Sequence, residues 1–169
     1  FMETSSREPW YENTIFVFVA DHVSSETFAP KTLTPTGNTQ IICLIYTPDG
    51  SLRGVNRSVA QQIDLMPTLL GLTGYDRPYF AFGRDVLRET DREPMVSNYA
   101  GGTYQGITDS LVLFFDGERT LSAYLRSDTL QKNDISGIRT PALEAAERDL
   151  KARLQQYYRH VKQKDYLAE

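Results

Sequence analysis

Two kinds of hydrophobic pattern divide this chain. In its first third, Ile15-Phe16-Val17-Phe18-Val19-Ala20 is an unbroken apolar run, and Ile41 to Tyr46 is a second. Runs without alternation read as strands buried on both faces, as inside a parallel sheet. Residues 23–40 lie between them, rich in Thr, Pro and Gly and without an apolar period. They read as a surface loop near the strand ends, of a length usually kept for function. Thr47-Pro48-Asp49-Gly50 then suits a tight reversal. Asp64 is the expected N-cap of a short helix, with Pro67 inside its first turn, where a missing N–H does no harm. Leu65, Met66, Leu69, Leu70 and Leu72 carry that helix, and Gly71 and Gly74 mark its end. Residues 9–90 are therefore expected to form an α/β portion whose two strands run parallel, adjacent or nearly so.

From residue 91 the pattern changes. Tyr104–Thr108, Leu111–Phe115 and Thr120–Leu125 are short, aromatic and β-branched, with Asp116-Gly117 as a hairpin signal between the last two. Residues 91–140 thus read as antiparallel strands, and 141–164 as a terminal helix. That helix should run from Pro141 to about Lys162, capped by Thr140. Leu143, Ala146, Leu150, Leu154, Tyr157, Tyr158 and Val161 form one apolar stripe. Glu144, Glu147, Arg148, Lys151 and Arg153 occupy the opposite face, which reads as simply solvated.

Composition changes the picture only a little. With 169 residues, 40% of them hydrophobic, the chain can bury one moderate core and is expected to be one folded unit. A net charge of -4 and no run of Lys and Arg argue against a nucleic-acid partner. Cys43 is single, which excludes an internal disulfide, and its apolar strand suggests a small buried hydrophobe. No apolar segment approaches the ~18 residues that span a bilayer.

The chemistry concentrates at Asp21-His22, where the first apolar run ends. In open α/β sheets, ligands bind beyond the carboxyl ends of strands. A carboxylate and an imidazole there offer one hard oxygen and one borderline nitrogen, suited to Mn²⁺ or Zn²⁺. Neighbouring side chains on a strand point to opposite faces, so the backbone must turn for both to reach one ion. Val23-Ser24-Ser25-Glu26-Thr27 is suited to that turn. The same pair also reads as a capping Asp beside a surface His. Ser24, Ser25 and Thr27 have no second His nearby to activate them as nucleophiles. His160 falls near the end of the terminal helix, where a cation is mildly favourable. Asp64 reads as a cap, Arg84 and Asp85 as a structural ion pair or cap near a turn. Trp10, Tyr99 and Tyr104 read as core or edge packing.

A series of segments carries a family likeness. Trp10-Tyr11-Glu12-Asn13-Thr14 leads into the first apolar run and Asp21-His22, and Ile41 to Pro48 follows. Next come Ser58-Val59-Ala60-Gln61-Gln62-Ile63-Asp64-Leu65-Met66-Pro67-Thr68-Leu69-Leu70 and Phe82-Gly83-Arg84-Asp85-Val86-Leu87. Tyr124-Leu125-Arg126-Ser127-Asp128 comes last. In this order they resemble the sulfatase-like branch of the alkaline phosphatase superfamily, most closely its lipoteichoic acid synthase and phosphoglycerol transferase group. The resemblance spans roughly residues 8–160.

It implies a three-layer α/β/α fold with an antiparallel hairpin and a C-terminal helix. Asp21 and His22 become ligands of a divalent metal, Mn²⁺ or Zn²⁺ before Mg²⁺ or Ca²⁺. Gln40 stands where relatives commonly carry a His aimed at the ester oxygen or leaving group. A glutamine can donate a hydrogen bond there but cannot shuttle a proton. Ile42 replaces the family's Pro. Lys31 lies where many relatives have a Gly-Lys element, which makes it a substrate contact or else a solvated loop lysine. The family's nucleophile and first metal carboxylate lie well upstream of the Asp-His pair.

The chain is therefore expected to be the C-terminal part of a larger catalytic domain. On this reading it lacks activity alone and relies on the N-terminal half of its own domain. The resemblance further implies a parent anchored by N-terminal helices, facing outside the cytoplasmic membrane, with a phosphate or sulfate ester as substrate. The other expectation is a non-catalytic relative serving as a structural or binding module.

Overall fold

A computed structural model describes residues 1–24, 26, 29–88, 91, 93–164 and 166. The chain divides into two units, Phe1–Arg57 and Ser58–Glu169.

In the first unit, a single helical turn, α1 (Met2–Ser5), precedes the strands β1 (Phe16–Val19) and β2 (Cys43–Tyr46). These strands pair antiparallel, with Phe16 opposite Tyr46 and Val19 opposite Cys43. The expected adjacency is present, but the expected parallel direction is not. A parallel pair needs a crossover, usually a helix, whereas an antiparallel pair needs only a loop. Among its described residues, this connection contains two 3₁₀ turns, Pro30–Leu33 and Gly37–Thr39, and no longer helix.

The ribbon gathers aromatic rings. Phe16 is buried, with Tyr11 at 5.4 Å, Tyr46 at 6.0 Å and Phe1 at 6.1 Å between centroids. The Tyr11 and Tyr46 hydroxyls share a hydrogen bond of 2.8 Å. That bond, with some loss of hydration, pushes the Tyr11 hydroxyl up to about 12. Burial of both strands on both faces is a second expectation that the structure corrects. Phe18 and Val19 are each 39% exposed and Leu44 is 55% exposed. Cys43 is exposed too, although partial loss of hydration raises its thiol pKa. An apolar run shows that a strand suits enclosure; what encloses it depends on other elements. Among the described residues of this unit, no helix longer than α1 is present.

The second unit opens with helix α2 (Leu65–Leu72), which ends at Thr73 with Gly74 at φ +68°, as the glycine spacing predicts. Four strands follow: β3 (Met95–Ala100), β4 (Thr103–Thr108), β5 (Leu111–Phe115) and β6 (Thr120–Leu125). They form an antiparallel meander in the order β3-β4-β5-β6. The last three match the expected segments closely. The Asp116-Gly117 hairpin is present, with Gly117 at φ +112° and the Asp116 carboxylate accepting the N–H groups of Glu118 and Arg119. Strand β3 was not foreseen.

Helix α3 (Pro141–Gln163) lies on this sheet. Its start is the expected one, with Pro141 first and the Thr140 hydroxyl accepting the Leu143 N–H at 3.2 Å. Every residue of β5 is buried. Leu111, Leu113 and Phe115 pack with Leu143, Ala146 and Leu150 of α3. Val112 and Phe114 belong to a second cluster with Val59 and Ile107, so a five-residue strand alternates between two apolar environments. The charged face of α3 is less detached than expected. Glu147 accepts a hydrogen bond from Thr120 at 2.7 Å and pairs with Lys151 at 2.7 Å, tying helix to strand.

These contacts make the unit acid-sensitive. Hydrogen bonds from Lys151 and Thr120 hold the Glu147 carboxyl below its usual range. Backbone N–H groups do the same for Asp116, Asp128 and Asp134. A carboxylate with a depressed folded-state pKa contributes stability above its unfolded pKa, lost as pH falls through the folded one. The unit should therefore melt progressively lower as pH drops below about 4, the unfolded carboxylate range. Glu147→Gln should flatten part of that decline. Thermal melts from pH 6 downward check this, and an unchanged slope in the variant would count against it.

Candidate functional site

The pair at Asp21 and His22 is positioned by the antiparallel ribbon. Beyond Val19 the pairing continues for one more step, the Ala20 N–H donating to the Ile42 carbonyl at 3.2 Å. The chain then bends, as the polar residues after the apolar run suggest. Because the strands are antiparallel, the exit of β1 lies beside the start of β2. Asp21 and His22 thus share one end of the ribbon with Gln40, just before β2; in a parallel pair Gln40 would lie at the opposite end.

Both side chains are open to solvent, His22 at 78% and Asp21 at 87% exposure. The turn is held locally. One carboxylate oxygen of Asp21 accepts the His22 backbone N–H at 2.9 Å. Nδ1 of His22 lies 2.7 Å from the Val23 carbonyl, an acceptor, so Nδ1 carries the proton in that contact. The other ring nitrogen, Nε2, sits 3.5 Å from the second Asp21 oxygen. Two ligands of one tetrahedral ion with bonds of about 2.1 Å lie roughly 3.4 Å apart. A backbone carbonyl on the other ring nitrogen is the usual way a ligating His is oriented. Asp21 and His22 therefore fit two places in a divalent metal shell. Among the described residues, no group of three or more His, Cys, Asp and Glu could hold an ion.

Gln40 is exposed, its N–H donating to the Gly37 carbonyl at 3.3 Å. Lys31 is exposed as well; its carbonyl accepts from the Thr34 N–H and hydroxyl, while the backbone of Gly37 packs so closely on it that a side chain there would clash. The Ser24 hydroxyl accepts the Glu26 N–H, a local turn bond. Ser25 and Thr27 lie outside the described residues.

Asp64 has a role that exceeds that of a simple cap. It is 4% exposed, and its carboxylate accepts the Gln61 N–H at 2.9 Å and the Arg84 N–H at 2.8 Å. Gln61 reciprocates at the Asp64 N–H, which completes a capping box. Thr68 is fully buried, donates to the Asp64 carbonyl and accepts the Val86 N–H. The Arg84 guanidinium reaches the Val59 carbonyl at 2.9 Å, and Asp85 accepts the Leu87 N–H. The 58–70 and 82–87 motifs are thus one knot of hydrogen bonds between side chains and backbone. His160 proves to be a packing residue, its ring 4.6 Å from Phe80 and 5.8 Å from Phe82.

Comparison with known proteins gives the class of fold first. The chain superposes over its full length on the crystal structure of a protein in the alkaline phosphatase superfamily from Vibrio parahaemolyticus, with a TM-score of 0.75 and 22% identity. It spans 40% of that chain. The fold is thus of the alkaline-phosphatase-like α/β class, here with antiparallel sheets and a C-terminal helix, as expected. Residues 2–75, which include Asp21 and His22, match the Sulfatase family model. No curated protein matches the chain.

Proposed function

We propose that this chain is part of the catalytic domain of a sulfatase-like, metal-dependent hydrolase or transferase acting on sulfate or phosphate esters. The observation that carries the reading is the Asp21-His22 geometry, a carboxylate oxygen and the imidazole Nε2 3.5 Å apart, inside the segment that matches the Sulfatase family model. A divalent ion, Mn²⁺ or Zn²⁺ by donor type, would polarise the ester oxygen and ease deprotonation of an attacking hydroxyl. Val23 orients the His22 ring and fixes its tautomer. Gln40 would donate a hydrogen bond to an ester oxygen without carrying a proton, and Lys31, exposed, would supply a positive charge for an anionic ester.

The resemblance of the motif string supports the lipoteichoic acid synthase and phosphoglycerol transferase group as the branch. On this reading the nucleophile and the first metal carboxylate come from the N-terminal half of the domain, and the chain alone does not turn over. The parent is a membrane-anchored protein facing outside the cytoplasmic membrane. Gln40, in place of a proton-carrying His, favours a second reading, a non-catalytic relative that binds rather than cleaves.

Two ligands hold an ion weakly, because affinity comes from assembling a full set in a preformed site. Calorimetric titration with Mn²⁺ and Zn²⁺ should show weak binding to this chain and binding on the order of 100-fold tighter to a longer chain carrying the upstream half. Asp21→Ala in the longer protein should remove most of that gain. Equal affinities, or no loss on Asp21→Ala, would reduce the pair to a strand-end cap. Nitrophenyl ester hydrolysis by the longer protein separates the catalytic reading from the binding one.

A further inference from the structure

We propose that the C-terminal half of α3, with the 75–82 segment packed beside it, is a docking surface for an anionic lipid bilayer. With 23 residues, α3 is about 34 Å long. Its buried positions, Leu143, Ala146 and Leu150, all lie in its first half, and Leu154 is only partly covered. The apolar stripe nevertheless continues through Tyr157, Tyr158 and Val161, which are 48%, 53% and 42% exposed.

These side chains belong to a continuous aromatic band. The Tyr157 ring lies 5.5 Å from Tyr158 and 5.4 Å from Phe82, which in turn is 4.9 Å from Phe80. At the other end the Tyr158 hydroxyl meets that of Tyr104 at 2.6 Å, and the Tyr104 ring lies tilted 4.9 Å from that of the exposed Tyr99. Half-exposed tyrosines, apolar in body and polar at the tip, suit a boundary between water and hydrocarbon.

Charge decides the partner. From Lys151 to Lys164 the sequence has five Lys and Arg residues and no Asp or Glu, in a chain of net charge -4; the next acidic residue, Asp165, lies outside the described residues. Lys151 and Arg153 turn back to Glu147 and Asp149, at 2.7 and 3.0 Å. Arg159, Lys162 and Lys164 are exposed beyond them. Cations complement the helix C-terminus, which accounts for their presence but not for the uncovered Tyr and Val beside them. Long basic side chains flanking half-exposed rings can reach headgroups while the rings enter the interface. A soluble polyanion would use the charges and leave the apolar band idle. Among the described residues, no helix is long and apolar enough to cross a membrane, so the contact lies on the surface.

Co-sedimentation with vesicles of phosphatidylcholine alone, and of phosphatidylcholine with phosphatidylglycerol, tests this with the chain as it stands. Binding should appear with the anionic vesicles and weaken with added salt. Lys162→Glu and Lys164→Glu should each lower the partition coefficient at least on the order of fivefold. Val161→Ser with Tyr157→Ser should weaken binding at unchanged charge. All four positions are exposed, so unaltered melting temperatures confirm that folding is not the cause. Equal binding to both vesicle types, or indifference to the charge reversals, overturns the proposal. So does equally tight binding to soluble polyphosphate combined with indifference to the Val161 and Tyr157 changes. Asp21→Ala should leave vesicle binding intact, so this surface and the metal reading fail or survive separately.

Discussion

Phe115→Ala is expected to lower the stability of the second unit by about 3–5 kcal/mol, a large share of the roughly 5–15 kcal/mol typical of a folded domain. Phe115 is 1% exposed at the end of β5 and packs within the cluster of Leu113, Ala123, Leu143 and Leu150. Lys151 Nζ sits 5.1 Å from its ring centroid, so the ring also steadies the residue that neutralises Glu147. Truncation removes the transfer energy of the ring and leaves a cavity between sheet and helix, both of which are rigid. Tyr99→Ala, which alters a 64% exposed ring on β3, should cost far less. Urea unfolding followed by ellipticity compares the two. Similar losses would show that the core is not centred where β5 meets α3.

Gly83→Ala should be nearly as damaging, by about 3 kcal/mol, although it adds one methyl group. A Cβ at residue 83 would strike the Ile63 carbonyl and the Asp64 amide nitrogen, backbone atoms with no rotamer to yield. The segment after Gly83 must then draw away from the start of α2. The Arg84 N–H loses the buried Asp64 carboxylate, and the Val86 N–H loses the Thr68 hydroxyl. Gly137→Ala is the control, since its Cβ meets nothing within 4 Å and its φ is ordinary. A melting temperature for Gly83→Ala equal to that of Gly137→Ala would refute the close-packing account.

What the sequence could express was local. Thr140-Pro141 and the stripe behind it set the start and the buried face of α3, and Asp116-Gly117 set a hairpin, because both signals act within a few residues. Strand β3 was missed because Ser97 and Asn98 dilute its apolar character. Its one cue was Gly101-Gly102, both at positive φ, joining it to β4. The direction of β1 against β2 was not legible, since two apolar runs carry no sign for parallel or antiparallel pairing. Burial of Cys43 and Leu44 failed for a related reason: composition reports what a strand tolerates, while exposure depends on neighbours. At the site, Asp21-His22 could be located from the end of an apolar run. The tautomer fixed by Val23 and the shared ribbon end with Gln40 needed coordinates. The Asp64 knot joins positions about twenty residues apart, beyond the reach of any periodicity.

The Ala20–Ile42 hydrogen bond closes the base of the 21–41 segment like a clasp. Once the two feet of a loop are pinned together, its length costs little: doubling it adds only about 0.6 kcal/mol of closure entropy. The segment between Asp21-His22 and β2 can therefore be lengthened, shortened or rewritten while the pair and Gln40 keep their places at the ribbon end. The ribbon end and the span can thus vary independently, so changes confined to this single stretch of chain leave the pairing of β1 with β2 in place.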